Sequence, residues 1–346
     1  MALHWSWAFG DEDYLALTAM GFGVTASASL NAPSSSNVYT YTGSPTRYSW
    51  SFETDGATNG ITLPGEASAG LTEGWVQAPF FAEIASGYDA GKVAIDVTGN
   101  ASGRRTYVQV TSSGALSLYI DSVFKETTQD FDFTSWKVVA LQWSMTTSTW
   151  RGRIWVDGVA ATAEHTDPRS AETSVSIRLG PGPGQDTSGV PAAWLGQIIL
   201  WDDYTDSGET PYFVTRAEPT ADGTNVGTWT PSTGSDDFAV VDSPFDTATY
   251  TQEASPAASD RCEVVTSSIA TALGVTPATI AGVTAHTFSE GQAITAKAVV
   301  SISGGTEASG SSVGISASAT TYATATDTAA YSGTDTIDVI YEVVST

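Results

Sequence analysis

Two short runs of carboxylates are the residues of this chain whose spacing could support acid–base catalysis. Glu53 and Asp55 are separated by one threonine, and residues 11–13 are Asp-Glu-Asp. A retaining glycoside hydrolase needs two carboxyl groups about 5 Å apart across the scissile bond. The pair at Glu53 ends at Gly56 with no third acid, and acids at residues 11–13 are typical of the first turn of a helix. The sequence therefore predicts a protein without enzymatic activity, with a carbohydrate-active enzyme or its binding module as the alternative.

An aspartate cluster near the middle of the chain has the side chains that a hard cation prefers. Asp202, Asp203 and Asp206 could give oxygen ligands to Ca²⁺. Their spacing matches no dedicated calcium loop, so a solvated acidic turn is the alternative. Three histidines lie far apart and lack the spacing of a transition-metal site: His4, His165 and His286. We expect no cofactor other than this candidate Ca²⁺.

Aromatic and polar residues in predicted loops are candidates for binding a sugar. Tyr88 and Asp89 follow a Ser-Gly step, and Trp150 lies beside a polar turn. Gln185 and Asp186 lie in a segment rich in Gly and Pro, which cannot join a β-ladder. Exposed aromatic rings can stack on a sugar, and loops that converge at the rim of a sandwich are common binding sites. The alternative is that these side chains bind nothing.

The stretch from Trp136 to Gly158 predicts the elements that would carry such loops. Apolar side chains alternate with others over residues 138–145, which is the period of a β-strand. A polar turn and a second alternating run over residues 150–156 follow. Asp157-Gly158 between two valines is the strongest local signal for a hairpin, because a type I′ turn needs positive φ at both central residues. Tryptophans that alternate with apolar partners are predicted to be core residues: Trp5, Trp7, Trp143, Trp155 and Trp201.

The rest of the chain has the pattern of short strands separated by turns. Strands are predicted at residues 48–54, 60–63, 75–85, 92–98, 106–111, 115–120, 123–127, 174–179, 193–201, 228–230, 238–242, 261–266, 293–303, 312–318 and 336–344. Helices are predicted at residues 14–20 and 268–273. A chain of 346 residues is longer than one core usually serves, and from Glu218 it is dominated by small and polar residues. We therefore predict an all-β protein of two domains, residues 1–212 and 213–346.

The hairpin, with its Trp-ended apolar strand and its Val-Asp-Gly turn, resembles LamG-type members of the concanavalin A-like lectin/glucanase superfamily. Residues 225–235 and 238–250 are similar to a β-sandwich module that recurs behind LamG-like domains in tailed-bacteriophage structural proteins. The resemblance implies two tandem β-sandwiches, first a concanavalin A-like jelly roll and then a smaller Ig-like or jelly-roll sandwich. It implies a non-enzymatic virion protein (capsid decoration, head fibre or tail-associated protein), with host surface glycans as a candidate ligand.

Charge and cysteine content bound the partners and the compartment. The chain has 38 acids and 13 Lys or Arg, a formal charge of −25, spread over both halves. Such a surface repels nucleic acids and anionic membranes, so we expect neither as a partner. Cys262 is the single cysteine and excludes an intrachain disulfide. We see no secretion signal and expect synthesis in the host cytoplasm, multiple copies on a particle, and contacts with other virion proteins or host polysaccharide.

Overall fold

The computed structural model describes residues 3–7, 22–24, 50–52, 60–82, 92–111, 113–131, 135–180, 193–195, 197–205, 214, 217, 219–237, 250–273, 280–291, 293–316, 321–328 and 331–346. These residues are organised almost entirely as β-strands, so the all-β prediction is confirmed. They form two compact units, one that ends at Val214 and one that follows it. Within these ranges no helix is long and apolar enough to cross a bilayer.

The first unit is a sandwich of two antiparallel sheets. Its elements are β1 (Leu3–Trp7), β2 (Gly23–Val24), β3 (Trp50–Phe52), β4 (Ile61–Thr62), a 3₁₀ turn (Gly65–Ser68), β5 (Glu73–Ala82), β6 (Lys92–Gly99), β7 (Arg105–Val110), β8 (Ala115–Ile120), β9 (Val123–Asp130), β10 (Lys137–Ser144), β11 (Thr149–Val156), β12 (Val159–Ala160), β13 (His165–Pro168), β14 (Val175–Leu179), β15 (Ala193–Leu195) and β16 (Ile198–Trp201). The first sheet has the order β1-β16-β5-β10-β11-β12, with β13 also on β11, β15 also on β5, and β3 on β15. The second sheet has the order β2-β4-β14-β6-β7-β8-β9.

The predicted central hairpin is confirmed in strand, turn and register. β10 pairs with β11 so that Leu141 lies opposite Ile154 and Trp143 lies opposite Gly152. Asp157 has φ of 49° and Gly158 has φ of 80°, the positive values that a type I′ turn requires. This turn joins β11 to β12, whereas the polar turn that follows Ser144 joins β10 to β11.

The core lies between the two sheets and is closely packed at Gly152. A Cβ added there would lie 3.2 Å from Cγ2 of Thr106 and 3.4 Å from Cδ1 of Leu118, both in the second sheet. Trp143, opposite this glycine, is fully buried. All five tryptophans predicted for the core are buried, with exposures of 8% or less, although Trp155 lies on the opposite face of the first sheet from Trp143: Trp5, Trp7, Trp143, Trp155 and Trp201.

The strand predicted over residues 193–201 is two strands, β15 and β16. Gln197 lies between them and is buried, and its Oε1 accepts a hydrogen bond from the backbone N–H of Val214 at 2.6 Å. A buried amide must be paired, and here it binds the backbone at the end of the unit. The Gly196-Gln197 step in the middle of the apolar run was the signal for this break in the sequence.

The second unit is a smaller sandwich made largely of small side chains. Its elements are β17 (Pro219–Asp222), β18 (Thr230–Pro231), β19 (Thr251–Gln252), β20 (Arg261–Thr266), α1 (Ile269–Leu273), β21 (Val283–Ser289), β22 (Thr295–Ile302), β23 (Ala308–Ser309), β24 (Val313–Gly314), β25 (Thr321–Asp327) and β26 (Ile337–Ser345). The third sheet, β17-β20-β26-β22-β23 with β24 also on β22, packs against the β21–β25 pair. Their shared core is Ile269, Ala285, Ala298, Val300, Ala323, Ala325 and Ile337.

Most predictions for the second unit correspond to observed elements, but five strands were not predicted: the short β17, β19 and β23 and the longer β21 and β25. The predicted helix at residues 268–273 is α1, whereas the predicted strand at 312–318 is described only as the two-residue β24. β21 and β25 were not predicted, because their inward side chains are largely alanine and threonine rather than large apolar residues. The predicted helix at residues 14–20 and the predicted strand at 238–242 lie outside the described residues.

Limited proteolysis should cut this chain between residues 204 and 225 and leave two folded fragments. Composition changes across this span, and the described contacts divide on either side of Val214. Boundaries of this kind are where proteases act first. Mass spectrometry of a thermolysin time course would identify the fragments, and circular dichroism of each would show whether it is folded. Cleavage that starts inside either unit, with no stable fragment, would mean that the two units do not fold independently.

Candidate functional site

The predicted sugar-binding and metal-binding residues are described only in part. Tyr88, Asp89, Gln185, Asp186 and Asp206 lie outside the described residues, as do the carboxylate runs at residues 11–13 and 53–55. Trp150, Asp202 and Asp203 are described. For these three the structure gives the positions of the side chains.

Trp150 does not have the exposed position that we predicted. It is 0% exposed, and its Nε1 donates a hydrogen bond to the carbonyl oxygen of Ser170 at 2.8 Å. Trp150 lies two residues before Gly152 on β11, and alternate residues of a strand share a face. It therefore points into the core with Gly152, and it offers no ring face to a sugar. The prediction that Trp150 stacks on a ligand is wrong.

The turn with Asp202 and Asp203 is held against the first sheet by its backbone. The Oδ1 of Asp203 accepts a hydrogen bond from the N–H of Thr205 at 3.0 Å. The carbonyl of Thr205 accepts from Nε1 of Trp75 at 3.1 Å, and the carbonyl of Tyr204 accepts from Nε2 of Gln142 at 2.6 Å. In the part of the chain that the structure describes, no three His, Cys, Asp or Glu side chains form a group that could hold a metal ion. Calcium binding with Asp206 stays a prediction.

This turn covers the face of the first sheet that points away from the second. Gln142 and Trp155 lie on that face, and Nε1 of Trp155 donates to Oε1 of Gln142 at 3.0 Å. The guanidinium of Arg151 lies 4.0 Å above the ring centre of Tyr204, and the hydroxyl of Tyr204 donates to Glu164 at 3.0 Å. These polar and aromatic groups therefore bind one another, and their role in this structure is to close the outer face of the sheet.

The outer face of the second sheet carries a row of side chains in register across five strands. Arg178 on β14 lies opposite Asp96 on β6, which lies opposite Tyr107 on β7. Tyr107 lies opposite Tyr119 on β8, and Tyr119 lies opposite Phe124 on β9. The neighbouring row of β6, β7 and β8 is fully buried and faces the first sheet, so strand alternation places these five side chains outside. We call Arg178, Asp96, Tyr107, Tyr119 and Phe124 the outer row.

The aromatic half of the outer row becomes more exposed towards the edge of the sheet. The rings of Tyr107 and Tyr119 are stacked, with centroids 4.8 Å apart and planes 4° from parallel. The ring of Phe124 meets Tyr119 edge-on at 5.7 Å. Tyr107 is buried, Tyr119 is partly exposed, and Phe124 is 54% exposed. Aromatic pairs of this geometry support one another, so a large apolar side chain is held rigidly in solvent.

The charged half of the outer row is centred on a buried carboxylate. Nη1 of Arg105 donates to Oδ2 of Asp96 at 2.9 Å, and the hydroxyl of Thr98 donates to Oδ1 at 3.2 Å. Burial raises the pKa of Asp96, and the charge of Arg105 acts in the opposite direction. Burial likewise lowers the pKa of Arg178, while Asp96 opposes that change. Charges that are partly withdrawn from water interact more strongly than charges on an open surface.

Arg105 and a tight turn hold the aromatic half in place. The guanidinium of Arg105 lies 4.8 Å from the ring centre of Tyr107, on a face suited to a cation–π contact. Burial raises the pKa of Tyr107, whose hydroxyl also forms a hydrogen bond with Ser122. Asp121 and Ser122 have φ of 51° and 63°, the values of a type I′ turn between β8 and β9. This turn sets the register that brings Phe124 beside Tyr119.

Sequence reasoning predicted the strands of this site but missed the site. β7, β8 and β9 were all predicted, each with one aromatic residue on what is now the outer face. The available signal was the short Ser-Ser-Gly turn at residues 112–114, which would have placed Tyr107 opposite Tyr119. A cross-strand aromatic pair beside an arginine is a stronger indication of a surface site than an isolated aromatic residue in a loop.

The outer row combines aromatic rings with charged groups. It includes a single carboxylate, Asp96, which is 4% exposed and paired with Arg105. Two accessible carboxyl groups on opposite sides of a glycosidic bond are what hydrolysis requires. An exposed aromatic surface beside guanidinium groups is instead a common composition for recognising a polar ligand with an apolar face.

No protein-family model and no curated protein matches this chain. Solved structures with some likeness include a sialidase from Trypanosoma rangeli bound to the inhibitor DANA, with 15% identity over 50% of this chain and 27% of that chain and a TM-score of 0.37. A second is an endo-β-1,4-glucuronan lyase from the fungus Trichoderma reesei, with 13% identity over 54% of this chain and 96% of that chain and a TM-score of 0.34. A third is lectin I-B4 from Griffonia simplicifolia, with 9% identity over 48% of this chain and 90% of that chain and a TM-score of 0.32. This chain thus spans about a quarter of the sialidase. All three TM-scores are below 0.5, so these likenesses carry no argument here.

Proposed function

We propose that this protein binds carbohydrate without catalysis and that its binding surface is the outer row. The observation that carries the proposal is the in-register set Tyr107, Tyr119 and Phe124, which ends in a ring that is 54% exposed. A single exposed apolar residue would need no explanation. A phenylalanine that is rigidly supported by two stacked tyrosines and flanked by an arginine–aspartate pair has the mixed character of a sugar-binding surface.

A binding surface of this size favours weak binding that repetition strengthens. We expect one copy to bind with a Kd between about 1 mM and 1 μM, or about 4–8 kcal/mol. Display of many copies raises the avidity without any new contact. The resemblance to phage structural proteins suggests where such copies would be displayed, namely on the surface of a virion with other virion proteins as partners. Locating the chain in a reconstruction of an intact particle would test that placement.

Phe124→Ala should weaken binding to any glycan that the intact protein binds. Burial of a phenylalanine side chain is worth about 1.5–3 kcal/mol, so a contact on its exposed half is worth on the order of 1 kcal/mol, or roughly fivefold in Kd. Val159→Ala is the matched control, because Val159 is 68% exposed and lies on the first sheet. A glycan array probed with the oligomerised protein, with and without Ca²⁺, identifies ligands, and titration measures Kd.

Both variants should fold as the intact protein does, and Phe124→Ala should melt at a slightly lower temperature because it loses the edge-on contact with Tyr119. Equal binding by Phe124→Ala and by the intact protein would remove the outer row from the proposal. An array without any hit would reject carbohydrate binding. Release of reducing sugar from a polysaccharide by the intact protein would instead establish the enzymatic alternative.

A further inference from the structure

The described outer face of the second sheet lacks the acidic excess of the whole chain. The whole chain has a formal charge of −25. Beside the outer row on the same face lie Thr98, Arg105, Gln109, Ser117 and Thr127. Asp130 at the edge of the same face lies opposite Ala115, so the face includes two guanidinium groups and two carboxylates and is neutral overall. On a chain with almost three acids for each base, a face with equal numbers of both concentrates guanidinium groups where an anionic ligand could reach them.

The carboxylate of the outer row is already engaged. Both oxygens of Asp96 accept hydrogen bonds, from Arg105 and from Thr98, and the residue is 4% exposed. Arg105 uses one of its five N–H donors in this bond, and its side chain is 37% exposed. Arg178 lies on the other side of Asp96 in the strand register. Two planar guanidinium groups thus flank a carboxylate that is withdrawn from solvent.

We infer that the ligand of this surface is a polyuronate, a polysaccharide with carboxylate-bearing sugar rings. Arg178 and Arg105 bind the carboxylate of one sugar, and the rings of Tyr119 and Phe124 contact the apolar face of another. Guanidinium groups match carboxylates in planar, bidentate geometry, which a neutral hydroxyl group cannot use. This inference rests on the proposed carbohydrate binding and assigns the chemical class of the ligand.

The length of the outer row agrees with a chain-like ligand. Neighbouring strands are about 4.8 Å apart, so the four steps from Arg178 to Phe124 span roughly 19 Å. That distance accommodates several sugar rings laid across the strands. A small carboxylic acid would contact only the charged half of the row and leave Phe124 unused.

The overall charge of the protein sets the conditions under which this binding is measured. A chain of −25 repels any polyanion at long range. At 0.15 M salt the screening length is about 8 Å, so distant charges are screened while contacts at the outer row remain. Binding should therefore persist at 0.15 M salt, unlike the binding of a basic protein to a polyanion, which salt weakens steeply.

Three polyuronates and their carboxyl-reduced products test the assignment. Alginate, polygalacturonate and hyaluronate are each titrated against the full chain at 0.15 M salt, next to the same polymer with its carboxylates reduced to alcohols. We expect at least one polyuronate to bind, and its reduced product to bind about tenfold or more weakly, because a charge-assisted hydrogen bond is lost. This comparison alters only the ligand, so it holds even if a variant fails to fold.

Arg178→Gln should weaken binding of that polyuronate by about tenfold and leave binding of its reduced product unchanged. Arg104→Gln is the matched control: it removes the same charge, but Arg104 lies before β7, in a 3.6 Å ion pair with Asp121. The control should bind as the intact protein does. Melting curves of both variants verify folding.

The remaining outcomes separate the two proposals. Equal binding of intact and reduced polymers would overturn the polyuronate assignment and leave carbohydrate binding standing. If Arg178→Gln and Arg104→Gln lose affinity for the polyuronate equally, the loss reflects the total charge of the protein and not a specific contact, and the assignment is overturned as well. If none of the six polymers binds, the polyuronate assignment is overturned too. The proposed carbohydrate binding is rejected only if, in addition, no neutral glycan on the array binds.

Discussion

Replacing Trp143 by alanine should lower the free energy of unfolding of the first unit by about 3–5 kcal/mol. The side chain is 0% exposed and lies between the sheets, opposite Gly152 on β11. Even a methyl group at Gly152 would lie 3.2 Å from Thr106 and 3.4 Å from Leu118, so the two sheets already approach closely here and have little freedom to close the cavity. Chemical denaturation followed by circular dichroism measures the loss as a lower midpoint with an unchanged slope.

Trp143→Phe is the matched control and should lower the free energy of unfolding by less than Trp143→Ala does. The indole Nε1 of Trp143 is buried without a hydrogen-bond partner in the described structure, so phenylalanine removes volume but breaks no hydrogen bond. If the protein is most stable with tryptophan at residue 143, less stable with phenylalanine and least stable with alanine, stability at this position comes from packing. An unchanged melting temperature for Trp143→Ala would contradict the register of β10 and β11.

The central hairpin was predictable because its information is local. The alternation over residues 138–145 and 150–156, with a short polar turn between the two runs, brings Trp143 opposite Gly152. The alternation of side chains along a β-strand assigns them to two faces, but it does not indicate which part of the chain covers each face. Gln142, on the outer face, is 0% exposed because the turn at Tyr204 covers it. Gln142 and Tyr204 are 62 residues apart in the chain, so the pattern of the strand alone does not predict this contact.

The candidate site depended on relations between strands that the sequence does not state. Tyr107, Tyr119 and Phe124 become one surface only when two turns set their register. The same limitation explains the error at Trp150, which was assigned to a turn by its neighbours although strand alternation pointed it inward. Proximity to a polar turn is therefore weaker evidence for exposure than the face on which a residue lies.

The second unit was harder to predict because its core is built from small residues. Ala285, Ala323 and Ala325 contribute to the core from β21 and β25, while Ala298 and Val300 contribute from β22. Alanine and threonine give little hydrophobic contrast, so the period of two is faint in such strands. Sheets with small side chains can also approach one another closely, which makes their glycines sensitive to substitution.

Gly310→Ala should destabilise the second unit by about 1–3 kcal/mol or more, because the new methyl group has no room. A Cβ at Gly310 would lie 1.7 Å from the carbonyl oxygen of Thr324 on β25, far inside van der Waals contact. That oxygen belongs to backbone, so a strand must shift. The N–H of Gly310 also donates to the carbonyl of Ala298 on β22 at 2.9 Å, and a shift would strain this bond.

Gly314→Ala is the matched control and should stabilise the second unit rather than destabilise it. A Cβ at Gly314 on β24 would meet no atom within 4 Å, and alanine is favoured over glycine within a strand by roughly 0.5–1 kcal/mol. Differential scanning calorimetry of the intact chain and both variants compares the two substitutions. Gly310→Ala should shift the transition of the second unit downward and leave that of the first unit in place. Equal melting curves for the two variants would show that β25 does not pass this close to residue 310, and the packing of the third sheet against the β21–β25 pair would have to be revised.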